Sequence, residues 1–301
     1  MRNGERRAAV VLLAAVALVG GALGQSPPEI KIQTERVAGD VYVLSGGGGN
    51  VAVLVGEDGL LLVDCAAKPA VEPLLAAVKA LDGRPVRLLV NTHWHFDHVD
   101  GNQALRSAGA VIVAHEAVRQ RMSTEQKLRG FERAVPPSPA EALPMVTYAD
   151  GLTLHLDGEE VQLMHVEPAH TDGDSFVQFK KANVLHVGDT FFNGMYPYID
   201  IAAGGSIDGM IKAVDRALEL ADEKTKIIPG HGPLAGEAEL LKYRGMLVQV
   251  RDRVRALIAE GKTLDEVIAA RVTQDLDEEW NGGVMPPDKW IGLVYEGMKK
   301  D

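Results

Sequence analysis

Short apolar runs separated by turn residues fill the first part of the chain: Val41–Leu44, Val51–Val55 and Leu60–Val63, broken by Gly46–Gly49 and by Glu57-Asp58-Gly59. Runs of this length between such breaks predict antiparallel strands joined by tight turns. The period then changes. From Ala70 to Leu81 the apolar positions recur at helical spacing, and the apolar strand Val86–Val90 leads straight into a His-rich loop. Residues 99–122 predict a short helix, a short strand (Ala110–Val113) and another helix. The segment Arg129–Pro144 carries Pro136, Pro137, Pro139 and Pro144, which predicts an irregular excursion over the surface.

A second β-series begins near Tyr148. Leu152–Leu156 and Val161–Val166 flank Asp157-Gly158, a hairpin signature, and strands follow at Ser175–Phe179 and Val184–Val187. The last third is helical, with Ile207–Ala221 and Glu237–Ala259 on either side of a strand at Lys226–Ile228. Thr263-Leu264-Asp265-Glu266 opens a further helix with a capping box. Two β-series, each followed by helices, predict an α/β (α+β) fold of two sheets face to face with helices outside. The halves cover about 30–145 and 146–260 of one domain spanning 25–301, and 261–301 forms a helical C-terminal segment.

Composition sharpens this picture at the N-terminus. Arg2, Arg6 and Arg7 precede the apolar run Ala8–Val19, and small residues follow around Ala22-Leu23-Gly24. That is the pattern of a signal peptide over residues 1–24, cleaved before Gln25, which predicts a periplasmic or secreted protein. The run is shorter than the roughly 20 residues that span a bilayer, and Gly20 and Gly21 break it, so no stable membrane anchor is expected after cleavage. The 301-residue chain, at 46 % hydrophobic residues, is long enough to bury a substantial core.

Losing Arg2, Arg6, Arg7 and Glu5 with the leader takes the net charge from −11 to −13. Such an acidic chain is a poor partner for nucleic acid or an anionic membrane; a small-molecule substrate is expected, and a homo-oligomer is compatible. Cys65 is the single cysteine, so no intrachain disulfide forms, and its place at the end of an apolar run predicts a buried small hydrophobe.

Three of the nine histidines fall in His93-Trp94-His95-Phe96-Asp97-His98. Side chains two apart on extended backbone point the same way, so His93 and His95 can grip one ion. Asp97 and His98 lie just past them, where a second ion can be served. Imidazole and carboxylate are suitable zinc ligands. Four residues do not complete two ions. His170, Asp189 and His231 each follow a predicted strand beside glycine; singly each has an ordinary structural explanation, and together they form a spaced set.

The His-x-His-x-Asp-His motif with these later positions, between Asn50 and Gly232, resembles the metallo-β-lactamase superfamily. The resemblance implies a four-layer αββα sandwich of two mixed sheets with the site at one edge. It implies two Zn2+ (iron or manganese as alternatives): His93, His95 and His170 on the first ion, Asp97, His98 and His231 on the second, and Asp189 bridging. It further implies a dinuclear zinc hydrolase in which a metal-bridging hydroxide attacks a lactam, lactone or ester carbonyl, with Asp97 as catalytic residue. One large group of true β-lactamases has cysteine at position 189 and lysine three residues on; here they are Asp189 and Phe192. The aspartate looks like lactonases and glyoxalase II-type thioesterases, although basic residues for glutathione are not identifiable. A mono-iron sulfur dioxygenase uses a similar motif and stays open as an alternative.

His115, His155 and His165 read as structural. His186, Asp172, Asn193 and Tyr196 are candidates for supporting a ligand or lining the substrate groove; Asp174 shares the first role with Asp172. Trp94 and Phe96 border the site, and Trp280 and Trp290 pack on the sandwich or form an interface.

Overall fold

A computed structural model of the chain describes residues 29–299; the expected signal peptide lies outside them. In chain order, β1 (Gln33–Ala38), β2 (Val41–Ser45), β3 (Val51–Gly56) and β4 (Gly59–Val63) form an antiparallel meander. Helix α1 (Val71–Leu81) crosses over to β5 (Val86–Asn91), which runs parallel to β4. Two short helices, α2 (Phe96–Val99) and α3 (Asn102–Ser107), lead to β6 (Val111–His115) and α4 (Glu116–Met122). A small hairpin of β7 (Gln126–Leu128) and β8 (Arg133–Val135) follows. Then β9 (Val146–Tyr148) adds to β6 in parallel and completes a mixed sheet of order β1-β2-β3-β4-β5-β6-β9.

The second sheet, of order β10-β11-β12-β13-β14, is also mixed. It holds β10 (Gly151–Leu156), β11 (Glu159–His165), β12 (Ser175–Phe179) and β13 (Val184–Phe192). After α5 (Ile207–Leu220), β14 (Lys226–His231) joins β13 in parallel. The chain ends in α6 (Glu237–Ala259), α7 (Leu264–Ala269), α8 (Asp277–Trp280) and α9 (Pro287–Met298).

Burial follows the patterns in the sequence. Each sheet turns one apolar face inward: Val43, Leu54, Leu61 and Val113 of the first meet Val161, Leu163, Val177 and Ile228 of the second. The outer face of the first sheet is covered by α1, whose Leu74 and Val78 lie one turn apart on its buried stripe. The outer face of the second is covered by α5, α6 and α9. The result is an αββα sandwich. Ser206 caps α5 by accepting from the Gly209 amide, and Thr263 with Glu266 forms the capping box of α7. Among the described residues, no helix is long and apolar enough to cross a membrane.

Three elements differ from expectation. The strand beginning the second series, β9, belongs to the first sheet, because it is short and its partner β6 is distant in sequence. The Pro-rich excursion begins with an ordered hairpin, since β7 and β8 precede the prolines. And β13 does not stop at Val187. A register shift at Gly188 (φ 53) lets it continue to Phe192, so Asp189 sits inside a kinked strand rather than beyond its end.

Candidate metal centre

The seven predicted ligands come together at one edge of the sandwich, at the ends of β5 and β14, at the kink of β13 and in the loop after β11. They form two abutting groups, His93, His95, His170 and Asp189, and Asp97, His98 and His231, with the candidate ligand atoms of each within 4.8 Å of one another. The chain bends at Thr92 and His93 after β5, is extended at His95, and then enters α2, so Asp97 and His98 are carried on a single helical turn. Asp189 lies between the groups: its Oδ2 is 3.5 Å from His170 Nε2 and 3.3 Å from His231 Nε2, and its Oδ1 is 3.1 Å from His98 Nε2. Close packing of backbone is required here. A Cβ on Gly230 would overlap the Asp189 carboxylate, and one on Gly49 would overlap the His98 ring.

Each ring of the first group is held from behind, and the outer partner assigns its proton. Thr92 gives its hydroxyl proton to Asp64 Oδ2 (2.7 Å), which leaves Thr92 Oγ1 to accept from His93 Nδ1–H at 3.1 Å. Asp200 Oδ2 accepts from His95 Nε2–H at 3.0 Å, and the Tyr198 carbonyl from His170 Nδ1–H at 2.7 Å. The lone pairs that remain, on His93 Nε2, His95 Nδ1 and His170 Nε2, all point inward. His93 Nε2 is buried without a hydrogen-bond partner among the described residues. His95 Nδ1 and His170 Nε2 face each other at 2.7 Å, a separation held by a proton between them or by a cation beside them. Burial, reinforced by His95, pushes His170 down to about 4, and burial pulls His93 well below the ordinary histidine value, so both rings present free lone pairs near neutrality. The donor set therefore fits a divalent ion.

The second group has the opposite balance. Burial pulls His98 down, but the carboxylates of Asp189, Asp97 and Asp64 overcome it and hold the ring well above its usual range. His231 is likewise raised to about 9 against the pull of burial, chiefly by Asp189. Burial opposes ionisation of Asp97, yet His98 and His231 bring it to about 2. In the metal-free protein, imidazolium protons thus hold the place of a cation among ionised carboxylates, and a metal ion would displace them. Asp97 and His231, 17 % and 14 % exposed, are the most accessible of the seven; the others are nearly closed off.

Among the lesser candidates, His186 is fully buried; it accepts from the Gly188 amide and donates to the Asn50 carbonyl, fixing the backbone beside Asp189. Asn193 reaches the Pro233 carbonyl, and its amide donates to the His231 carbonyl. Two expectations need correction. Asp172 pairs with Arg121 (2.5 Å), away from the His170 ring; it is Asp174 that accepts from the His170 and Thr171 amides and folds that loop. Tyr196 does not line a groove: its ring stacks on Trp290 at 4.5 Å and its hydroxyl donates to Asp277, locking the C-terminal helices to the second sheet. His115 and His165 stack on each other at 3.8 Å, outside the cluster.

Two carboxylates escaped sequence reasoning. Asp64 is fully buried at the end of β4, where Oδ1 accepts from the Thr92 amide (2.8 Å) and Oδ2 from Thr92 Oγ1 and His98 Nδ1–H (2.8 Å). Its one signal was an acidic residue closing the apolar run Leu60–Val63. Asp200, also fully buried, carried no signal.

Comparison with known proteins fits this geometry. A sequence model of the metallo-beta-lactamase superfamily matches residues 44–231. The hydroxyacylglutathione hydrolase of Methylococcus capsulatus is 29 % identical over 71 % of this chain and 75 % of its own. The alpha subunit of 2,4-dinitroanisole O-demethylase from Nocardioides sp. is 24 % identical over 55 % of this chain; the chain spans only 48 % of that relative's length. Among solved structures, a metallo-beta-lactamase from Pontibacter korlensis superposes with a TM-score of 0.60 at 19 % identity, over 72 % of this chain and 99 % of its own, a likeness of fold.

Proposed function

This chain belongs to the metallo-β-lactamase superfamily, and from that premise we propose that it is an exported dinuclear zinc hydrolase opening a lactam, lactone or ester carbonyl. The observation that carries this reading is the pair of abutting ligand groups with Asp189 between them and its lone pairs aimed inward. His93, His95 and His170 would hold one ion, Asp97, His98 and His231 the other. Ions of this kind lower the pKa of water from about 16 towards 7 and polarise a carbonyl. Imidazole and carboxylate donors suit zinc, and also iron or manganese.

The chain's own groups supply the rest. Asp97 is ionised, partly open and aligned by His231 (3.3 Å), so its carboxylate is placed to accept a hydrogen bond from a water and orient it. Asp189 limits the positive charge gathered at the site. Asp64 and Asp200 keep the imidazole lone pairs pointed inward. No serine or cysteine nucleophile is required, and Cys65 is buried against the His98 carbonyl.

Likeness to a hydroxyacylglutathione hydrolase favours thioester hydrolysis as a second reading. The test is metal analysis of the purified mature protein together with a hydrolysis panel of penicillin- and carbapenem-type lactams, acyl-lactones, esters and thioesters. About two zinc ions per chain with turnover on this panel supports the proposal, and turnover confined to thioesters selects the second reading. A single bound iron with oxygen consumption on a persulfide overturns both. N-terminal sequencing of the exported form is expected to begin at Gln25.

A further inference from the structure

Among the described residues, β7 and β8 are strands that join neither large sheet, and the hairpin lies against the residues that flank the metal ligands. Arg133 places its guanidinium 4.5 Å above the ring of Phe96, the residue between His95 and Asp97. Phe131, at the hairpin tip, meets the ring of Tyr198 edge to face at 5.0 Å. Tyr198 in turn lies 5.6 Å from His95 and 5.8 Å from His170, and its carbonyl holds the His170 ring. The Tyr198 hydroxyl is buried with no hydrogen-bond partner among the described residues.

The tip is tied down rather than loose. Arg129 pairs with Glu296 at 3.0 Å, and Lys289 donates to the Gly130 carbonyl, both on α9. Yet Phe131 stays 42 % exposed, one of a few large apolar side chains left open to solvent among the described residues, and the one that adjoins the metal cluster. Four of the ligand rings, His93, His95, His98 and His170, are closed off, so a reacting group enters beside Asp97 and His231. Arg133, seated on the neighbour of Asp97, puts the hairpin beside the ligand segment, and Phe131 on Tyr198 puts its tip beside the residue that packs on His95 and His170. An anchored, half-open aromatic ring beside the ligand segment offers an apolar contact to the part of a substrate that does not react.

We propose that this hairpin is the specificity wall of the site and that Phe131 receives an apolar acyl or side group of the substrate. This rests on the hydrolase reading for its catalytic consequence and on geometry alone for its binding consequence. The substrate class is a carbonyl compound with a medium-length apolar group, preferred over its acetyl counterpart.

The experiment uses the metal-loaded mature protein and p-nitrophenyl esters from acetyl through butyryl to hexanoyl, with calorimetric binding of acetate, butyrate and hexanoate measured alongside. For the wild type, KM and the carboxylate Kd fall about two- to fourfold per added methylene, the value for a partly to fully buried CH2. Phe131→Ala flattens that slope in KM and Kd alike; Phe131→Leu keeps an intermediate slope and guards against a folding artefact. A wild type with no chain-length dependence in either measurement, or a Phe131→Ala slope equal to wild type, overturns the inference. Absence of turnover on every ester, with the Kd slope present in wild type and lost in Phe131→Ala, sinks the ester reading and leaves the wall standing.

Discussion

Replacing Asp64 by asparagine tests whether outer carboxylates prepare the metal ligands. Asp64 has φ 65, a left-handed conformation that asparagine tolerates, so backbone strain does not confound the result. The native carboxylate accepts three donors, and its Oδ2 serves both Thr92 Oγ1 and His98 Nδ1–H. Asparagine keeps one accepting oxygen and puts an N–H2 group where Oδ2 was. That group donates to His98 Nδ1 and forces the remaining ring proton onto Nε2, where the metal belongs. Thr92 loses its acceptor too, and its hydroxyl proton turns towards His93. Loss of an outer partner of this kind typically weakens a metal site 10- to 100-fold, about 1.4–2.7 kcal/mol. The metal-free fold loses one charge-assisted hydrogen bond and loosens another, about 2–4 kcal/mol in all. Competition titration against a chromophoric chelator, with circular dichroism to verify folding, reads both quantities. A folded Asp64→Asn protein that holds both ions as tightly as wild type would refute the claim that Asp64 sets the ring protons.

Other expectations follow from the same geometry. Asp97→Asn should lower kcat by about 10²- to 10⁴-fold with the fold intact by circular dichroism; turnover equal to wild type would remove Asp97 from the chemistry. Burial, with His165 stacked at 3.8 Å, lowers the His115 pKa, so the unfolded chain binds its proton first. Stability contributed there is present above the unfolded value of about 6.5 and declines as pH falls below it; His115→Gln should flatten the acid limb of a urea-denaturation midpoint against pH, and an identical limb would contradict the assignment. Trp290 is fully buried and stacked on Tyr196, so Trp290→Ala should cost about 3–5 kcal/mol in chemical denaturation, and a loss below about 1 kcal/mol would show that the terminal helices do not stabilise the sandwich.

The sequence by itself determined the local elements and the inner half of the site. Alternating or continuous apolar runs marked β2–β5 and β10–β12, helical spacing marked α1, α5 and α6, and the Thr263–Glu266 box marked α7, because these signals depend on neighbours within a few residues. His-x-His-x-Asp-His marked the ligands for the same reason: chemistry and spacing lie in one short segment. Only the tertiary structure decided the rest. Asp64 and Asp200 matter because folding brings them to His98 and His95, 34 and 105 residues away, and a lone aspartate carries no trace of such a partner. The kink that turns Asp189 inward depends on pairing between β13 and β14. Asp172 and Asp174 stand two apart in sequence, and which of them supports His170 was settled by Arg121 arriving from α4 to take the first. The placement of β9 and the seating of the hairpin on Phe96 and Tyr198 are likewise contacts between distant segments, fixed by burial and electrostatics that no local pattern encodes.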